Sequence, residues 1–307
     1  MTAVVGTQDL SQTLPNSGKT DRRAARHPGH RRLGRGLMNK HFFGAALAGF
    51  LLAAVPSLAH AEDTGGGWFS GDWYLKVGVA GFTAPEFEGD DAYALKFSGI
   101  ISVGKAGDEP RFTSRNDNIS IGLLDTGAIR AGLAGKLVMP RDAGDSPDLA
   151  GLDDIPFGVE VGGFAEFYPT DWLRVRGEVR RGFNAHEGVV GDVEVDAFAD
   201  ITPEVRVSGG PRLSVASADY FDAYYGVTPA EAAASGLTPY TPDGGLRSVG
   251  VGGAIDWKTT DQLTTSVFAE YSRLTGPAAD SSLVEERGSP NQAMFGLSAI
   301  YRFDFQM

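Results

Sequence analysis

Charged residues of both signs alternate with apolar residues between positions 155 and 217, and these side chains are the best placed in the chain to do chemistry. The charged residues share one face of each predicted strand, and valines such as Val161, Val175 and Val195 share the other. Opposite charges on neighbouring strands attract, so this face predicts either a closed, salt-bridged core, which we favour, or the lining of a narrow polar pore. The residues of this predicted charge network are Glu160, Glu166, Arg174, Arg176, Glu178, Arg180, Glu194, Asp196, Asp200, Arg206 and Arg212.

The turns between these strands also predict which charges meet. Residues directly opposite each other in an antiparallel pair have Cβ atoms about 5 Å apart, which is within reach of an ion pair. Hairpin register predicts five pairs: Glu166 with Arg174, Glu160 with Arg180, Arg180 with Glu194, Arg206 with Asp200, and Arg212 with Glu194.

Two acidic groups lie outside the predicted strands, namely Glu86, Glu88, Asp90 and Asp91, and Asp142, Asp145, Asp148, Asp153 and Asp154. Carboxylates are preferred ligands of Ca²⁺, so a divalent-ion site or a cation bridge to lipopolysaccharide is one interpretation. The spacing does not match the fixed order of an EF-hand loop. We expect a solvated acidic rim and no metal site.

The residue types give little support to catalysis. The chain has no cysteine, which excludes thiol nucleophiles, disulfides and thiolate metal sites. His186 lies in a predicted turn without a nucleophile beside it, so a Ser-His-Asp site is not expected. The glycines at 250–253 lie inside a predicted strand and not before a helix, so they are not a dinucleotide loop. We expect no catalytic residues and no cofactor.

Alternation with a period of two defines the strands that carry the charged residues. In the last strand Phe295, Leu297, Tyr301 and Phe303 share a face over more than ten residues. Strands of soluble proteins usually have five or six residues, whereas a strand that crosses a membrane needs about 9–11. Eleven strands are predicted, near 72–82, 92–104, 117–124, 127–138, 155–168, 171–183, 191–202, 204–217, 245–257, 261–275 and 291–305.

The connections between the strands favour a membrane barrel over a soluble β-sandwich. Tight turns at 169–171, 202–203 and 259–261 alternate with longer connections near 184–190, 218–244 and 276–290. This is typical of an all-β, antiparallel transmembrane barrel with short periplasmic turns and longer outer loops. Such barrels have an even number of strands, so we expect about twelve, the twelfth being a short strand near 111–114. Ten would require two predicted strands to be loops.

Composition excludes several other classes of protein. The net charge of −12 argues against a nucleic-acid partner, which would need a basic face. The mean hydropathy of −0.13 is too low for a helical membrane protein. The 42 glycines fit tightly curved or closed sheets.

A targeting segment precedes the predicted barrel. Residues 38–61 have the form of a signal peptide for a Gram-negative envelope protein, with an apolar run followed by a small-residue cleavage site at Ala59 and Ala61. Residues 1–37 are interpreted as a non-structural upstream leader, and residues 62–307 as the outer-membrane barrel.

The longest connection, 218–244, predicts a short helix. Thr228 is placed to cap it, Pro229 fits the first helical position, Glu231 completes a capping box, and Gly236 ends the helix. A recognition loop or partial plug is one interpretation of this connection. We favour a structural loop in which aromatic residues such as Tyr220 are simply buried.

Motifs across the whole of residues 62–307 resemble those of the MipA/OmpV family of outer-membrane proteins. Within the connection 218–244 these are Tyr220, Tyr225-Gly226-Val227 and Ser235-Gly236-Leu237. The other matching motifs are Leu149 to Asp154, Gly210-Pro211-Arg212, Pro239-Tyr240, Tyr271 to Leu274, Asp280 to Val284 and Tyr301-Arg302-Phe303.

The resemblance implies a non-enzymatic barrel in contact with outer-membrane lipid. It also implies two protein partners, a lytic murein transglycosylase and a bifunctional penicillin-binding protein, which family members are described as joining. Other members are linked to osmotic response, adhesion or antibiotic susceptibility. We therefore expect a scaffold for murein-remodelling enzymes or an envelope-integrity protein in the outer membrane. The alternative is a small polar diffusion channel.

Overall fold

The alternating residues form twelve antiparallel strands in a computed structural model that describes residues 3–9, 70–107 and 110–306. The strands are β1 (Ala3–Asp9), β2 (Asp72–Pro85), β3 (Tyr93–Lys105), β4 (Ile119–Asp125), β5 (Ile129–Val138), β6 (Gly158–Thr170), β7 (Leu173–Phe183), β8 (Val189–Asp200), β9 (Val205–Ala216), β10 (Gly245–Lys258), β11 (Leu263–Leu274) and β12 (Asn291–Gln306). Each of the eleven strands predicted from the sequence is present, with its ends within three residues of the expected positions. The predicted signal peptide and its cleavage site at Ala59 and Ala61 lie outside the described residues.

The strands close into a barrel in the order β1-β3-β2-β12-β11-β10-β9-β8-β7-β6-β5-β4. β12 pairs with β2, for example Leu297 with Gly81, so the two ends of residues 72–306 meet in the sheet. Between β3 and β4 lies β1, which pairs antiparallel with both. β1 belongs to residues 1–37, the segment interpreted above as a non-structural leader.

The twelfth strand is therefore not where the sequence predicted it. Residues 111–114 are not a strand, and the prediction of a short strand there was wrong. Residues 110–118, which we call the inner segment, lie instead against inward-facing side chains. The Phe112 ring stacks on Phe198 at 4.6 Å between centroids, and the Arg115 guanidinium lies 3.8 Å from the centre of the Phe268 ring.

The two faces of the sheet separate apolar from charged residues as the period of two requires. Large apolar side chains are exposed around the outside, among them Val79, Leu133, Val161, Val251 and Leu297. Charged side chains on the opposite face, such as Glu166 and Arg176, are buried. An apolar exterior and a polar interior are the reverse of a soluble protein and match a barrel in lipid.

The two ends of the barrel differ in the length of their connections. At the short-turn end the connections are 126–128, 171–172, 201–204 and 259–262, and at the long-loop end they are 86–92, 139–157, 184–188, 217–244 and 275–290. The long connections contain the helices α1 (Ala218–Tyr225), α2 (Pro229–Ser235), α3 (Gly276–Ala279) and α4 (Ser282–Arg287) and a 3-10 helix (Pro147–Leu149). The described part of the chain has no helix long and apolar enough to span a membrane.

The helices of the long-loop end pack together into a single structure, which we call the loop cap. Phe221, Tyr225, Leu274 and Val284 are almost fully buried in one cluster. A neighbouring cluster contains Phe87, Leu149, Leu152, Val227, Leu237 and Leu283. Burial of this many large apolar groups stabilises the cap through the hydrophobic effect, so the long connections form one packed layer.

A candidate functional site in the barrel lumen

Arg174 is the centre of the charged residues inside the barrel. Its side chain is fully buried, and its guanidinium donates to both carboxylate oxygens of Asp117, at 2.8 and 2.9 Å. It also donates to Asp196 at 2.7 Å and to Glu166 at 3.3 Å. Charge-assisted, bidentate hydrogen bonds of this kind fix the geometry of both partners.

Arg176 and Arg180 continue this cluster towards the long-loop end. Arg176 pairs with Glu166 and Glu178. Arg180 donates to Glu160 at 2.8 Å and to Asp192 at 2.6 Å, and it also pairs with Glu178. Buried charges are tolerated when they are paired and hydrogen-bonded, and here each cation contacts two or more carboxylates.

The structure corrects part of the predicted register. Glu166 lies opposite Arg176 and not Arg174, because the turn between β6 and β7 is formed by Asp171 and Trp172 and β6 has an irregularity after Phe167. Arg174 nevertheless reaches Glu166 from its neighbouring position.

The next hairpin differs more. Arg180 lies opposite Val190 and pairs with Asp192, so the predicted contact between Arg180 and Glu194 was wrong. The connection 184–188 is shorter than expected, and this shifts β8 along β7. Between β8 and β9 the predicted register is confirmed, with Arg206 opposite Asp200 and Arg212 opposite Glu194.

The predicted network divides into a buried and an exposed part. Glu160, Glu166, Arg174, Arg176, Glu178, Arg180, Glu194 and Asp196 are buried. Arg212 is mostly covered and pairs with Asp196. Asp200 and Arg206 form an ion pair at the short-turn end in which the Asp200 side chain is 60% exposed, so this pair lies outside the cluster.

Three residues that sequence reasoning missed complete the cluster, together with Asp192 of the charged strand face. Asp117, from the inner segment, binds the Arg174 guanidinium through both of its carboxylate oxygens. Asp192 binds Arg180, Arg130 lies 3.6 Å from Glu166, and His186 contacts Glu160 at 3.2 Å. Arg130 has the alternating pattern of the other members, which is a signal that could have found it.

The inner segment occupies the middle of the lumen. Asn118 donates to Glu178 at 2.9 Å on one side, and Asn116 donates to Glu270 at 2.7 Å on the other. Beyond it, a cavity of about 210 Å³ remains between the inner segment and strands β2, β3 and β9–β12. The lumen is thus filled by ion pairs on one side and only partly filled on the other.

The predicted motif loop forms the base of the loop cap. Tyr220, Tyr225, Val227 and Leu237 are buried, and Gly226, Ser235 and Gly236 lie at the ends of α1 and α2. The predicted helix is confirmed in detail as α2, in which Thr228 and Glu231 form a capping box and Gly236 adopts a φ of 84°. Helix α1, immediately before it, was not predicted.

Glu231 also joins two of the long connections. Its carboxylate accepts from the backbone N–H groups of Thr228, at 2.8 Å, and of Asp153, at 2.9 Å. Partial burial raises the pKa of Glu231, but these hydrogen bonds to its charged form outweigh burial and hold the pKa below the ordinary value.

His186 connects the loop cap to the charge cluster. Its ring lies edge-on to Tyr220, at 5.0 Å between centroids, and close to Tyr224 at 5.7 Å. The same ring contacts Glu160 through Nε2. The cap therefore rests directly on the top of the cluster, and the lumen is covered at the long-loop end.

The predicted acidic rim is mostly exposed, with one exception. Asp142, Asp145, Asp153 and Asp154 are solvated, as expected. Asp90 is 0% exposed, and burial raises the pKa of its carboxyl above the ordinary value.

The arrangement is suited to holding the interior of the barrel together. Arginine carries its charge at all physiological pH values, and the buried carboxylates of the cluster are held by arginines. Paired charges in a covered lumen fix the sheet, the inner segment and the cap relative to one another.

Comparisons with known proteins give one family match and several similar solved structures. The family model described as MipA, MltA-interacting protein, matches residues 77–303. A comparison with curated proteins found no match. Among solved structures, Neisserial surface protein A is 10% identical, covers 76% of this chain and 99% of its own, and has a TM-score of 0.25. A bacterial polysaccharide outer-membrane secretin is 9% identical, covers 75% of this chain and 98% of its own, and has a TM-score of 0.40.

The attachment invasion locus protein of Yersinia pestis is 11% identical, covers 76% of this chain and 99% of its own, and has a TM-score of 0.19. All three TM-scores are below 0.5, so the barrel architecture stands on the strand pairing described above. The family match covers most of the strands, the inner segment and the loop cap. The chain therefore belongs to the MipA family and is an outer-membrane β-barrel protein.

Proposed function

We propose that this protein is a closed, non-enzymatic scaffold that holds murein-remodelling enzymes at the outer membrane. The observation that carries the proposal is the occupied lumen, in which the charge cluster fills one side, the inner segment lies in the middle and the loop cap covers the long-loop end. A barrel that transports solute needs a continuous path lined with water. Here the rigid interior supports a platform, and the surfaces at the two ends are available for partners.

The partner class follows from the name of the family, MltA-interacting protein, which describes its members as binding MltA. A lytic murein transglycosylase acts on the periplasmic murein, and a bifunctional penicillin-binding protein is the second partner that the sequence resemblance implied. The short turns of outer-membrane barrels face the periplasm. We therefore assign partner binding to the short-turn end.

The short-turn end has a surface suited to a basic partner. Exposed carboxylates surround it, from Asp72, Asp125, Asp171, Asp200, Glu204, Asp261 and Asp304. Several have a neighbouring cation, such as Arg206 beside Asp200. Glu204 and Asp261 form no ion pair among the described residues. Complementary charges raise association rates and select partners.

A pull-down with purified lytic transglycosylase tests the scaffold. The double variant Glu204→Lys with Asp261→Lys should weaken capture at low salt, because it reverses two charges at the short-turn end. The matched control carries Asp142→Lys with Asp243→Lys, two exposed acids of the long-loop end, and should capture the enzyme normally. No capture by the unmodified barrel, or equal loss in both variants, would contradict the proposed surface.

The alternative function is a small polar diffusion channel, and the cavity beside the inner segment favours it. Single-channel recording in planar bilayers separates the two. The scaffold predicts a silent barrel that still binds the transglycosylase. Steady conductance of the unmodified protein would instead show that the cavity opens through the loop cap.

A further inference from the structure

The two acidic groups of the long-loop end meet at one point in the fold. Asp90 and Asp91 belong to the connection 86–92, and Asp148 belongs to the 3-10 helix Pro147–Leu149. One carboxylate oxygen from each of the three lies within 4.8 Å of the others. Like charges at this distance repel, and a cation among them would relieve that repulsion.

Asp90 is held in place by its surroundings and not by a cation of the protein. Its backbone pairs with Gly288 in an isolated bridge, its carbonyl accepts from the Gln292 side chain at 3.2 Å, and its Oδ1 accepts from the Ala92 N–H at 2.9 Å. Its Oδ2 is buried and has no hydrogen-bond partner among the described residues. A buried carboxylate oxygen without a partner is unfavourable, because it has lost its water and gained no hydrogen bond in return.

Two basic residues of the neighbouring segments donate to backbone carbonyls. Arg287 donates to the carbonyl of Asp148 at 2.8 Å and also to that of Ser235, and Lys96 donates to the carbonyl of Glu86 at 3.3 Å. No ion pair joins a lysine or arginine to Asp90, Asp91 or Asp148 within the described ranges. The three carboxylates are therefore not neutralised by side chains.

The chemistry of the group indicates which cation fits. All three ligands are carboxylate oxygens, the donors that Ca²⁺ and Mg²⁺ prefer, whereas zinc would favour nitrogen and sulfur ligands that are not part of this group. Mg²⁺ demands near-ideal octahedral geometry, whereas Ca²⁺ accepts an irregular set of six to eight oxygens. A group of one buried and two more accessible carboxylates, completed by water, therefore suits Ca²⁺ better.

We propose that Asp90, Asp91 and Asp148 bind a Ca²⁺ ion that joins the connection 86–92 to the 3-10 helix in the loop cap. Asp90 supplies its unpartnered Oδ2 from the buried side, and Asp91 is exposed, so water completes the coordination there. The ion links two segments that are 58 positions apart in the chain and whose apolar neighbours, Phe87 and Leu149, pack in one cluster.

Calorimetric titration with CaCl₂ tests the site on protein purified from outer membranes in detergent and freed of divalent ions with EDTA. We expect one Ca²⁺ per chain, with a dissociation constant on the order of 10⁻⁴ to 10⁻³ M, as in extracellular calcium sites. Asp148→Asn and Asp91→Asn should each weaken binding about tenfold or more, since each removes a ligand charge. Asp243→Asn, an exposed acid of the same end, should not.

Two further measurements keep the test decisive. Ca²⁺ should raise the unfolding temperature of the unmodified barrel, because it binds the folded state. This rise should be absent in Asp91→Asn. Asp91 is exposed, so its substitution should leave the fold intact and misfolding would not explain the missing rise. Titrations are repeated with and without added lipopolysaccharide. Binding that appears only with lipopolysaccharide would assign the cation to lipid phosphate and overturn the proposal. Absence of saturation at about 10 mM CaCl₂, or unchanged affinity in Asp148→Asn, would overturn it as well.

Discussion

Burial decides what an arginine–carboxylate pair contributes to this barrel. Arg174 and Asp117 form a bidentate pair from which water is excluded, whereas Arg206 and Asp200 form a comparable pair exposed at the short-turn end. The exposed pair is weakened by solvent and salt. The buried one cannot lose a partner without leaving an uncompensated charge inside the barrel.

This contrast gives a prediction for single substitutions. Arg174→Ala should destabilise the barrel by about 3–5 kcal/mol, because Asp117 and Asp196 lose their cation in a closed lumen. Arg206→Ala should cost about 0–1 kcal/mol. Reversible urea unfolding in lipid vesicles measures both. A loss under about 1 kcal/mol for Arg174→Ala would show that water reaches the cluster and that the lumen is a wet pore.

At the residue scale the sequence predicted which charges point inward but not all of their partners. The period of two is enough to place Glu160, Arg176 and Asp196 inside, since a strand has only two faces. The partners depend on register, which a single irregularity after Phe167 changes. Asp117 could not be found this way, because it reaches the lumen on the inner segment and not on a strand.

At the element scale the strands were predictable and the segments between them only in part. Each strand carries its own signal in its alternation, and α2 carries one in its capping box. Helix α1 has no side-chain cap hydrogen bond, and its C-cap residue Gly226 has a φ of −63° and not the left-handed conformation of Gly236. The inner segment is irregular and is ordered by ring and ion-pair contacts with residues such as Phe198 and Arg174, which are distant in sequence.

The alternation along β12 predicts opposite outcomes for neighbouring positions. Leu297 is 57% exposed on the apolar exterior near the middle of the strand, and Ser298 borders the lumen cavity. Leu297→Arg should destabilise the barrel by about 2–4 kcal/mol, whereas Ser298→Arg should cost far less because its side chain enters the lumen cavity and not the lipid. Equal losses in a lipid-refolding titration would mean that the two faces are assigned the wrong way round.

The capping box of α2 predicts a dependence of the loop cap on pH. The pKa of Glu231 is lowered in the folded cap, so its contribution to stability is present above the pKa of the unfolded chain and is lost as the pH falls through the lower, folded pKa. Amide protection of Thr228 and Asp153 should therefore decrease on acidification below about pH 4.5.

Glu231→Gln is the control for this prediction. It keeps the size of the side chain but removes the titrating group, so protection should be lower at neutral pH and should not change through the same acidic range. Hydrogen exchange followed by mass spectrometry measures both proteins. An identical acid-induced loss in Glu231→Gln would assign the effect to another carboxyl group of the cap.

At the scale of the whole molecule, the closure of the barrel depends on one short strand. Both β3 and β4 run from the long-loop side towards the short-turn end, because the inner segment returns through the lumen between them. Because β3 and β4 run in the same direction, they cannot pair with each other as antiparallel strands. β1 lies between them and pairs with both, for example Val4 with Ser102 and Ala3 with Ile121. Removal of residues 1–61, the predicted cleavage, would remove β1 as well.

The last prediction follows from that geometry. In the processed chain, β3 and β4 become the two edges of a lateral seam, so about every second amide within residues 98–103 and 119–121 loses its β1 partner. Hydrogen exchange in detergent should show these amides exchanging faster in the processed protein than in the unprocessed one. Amides of 295–301, paired on both sides with β2 and β11, should be equally protected in both. Full protection of 98–103 in the processed chain would mean that β3 and β4 close directly as a parallel pair, or that another segment takes the position of β1.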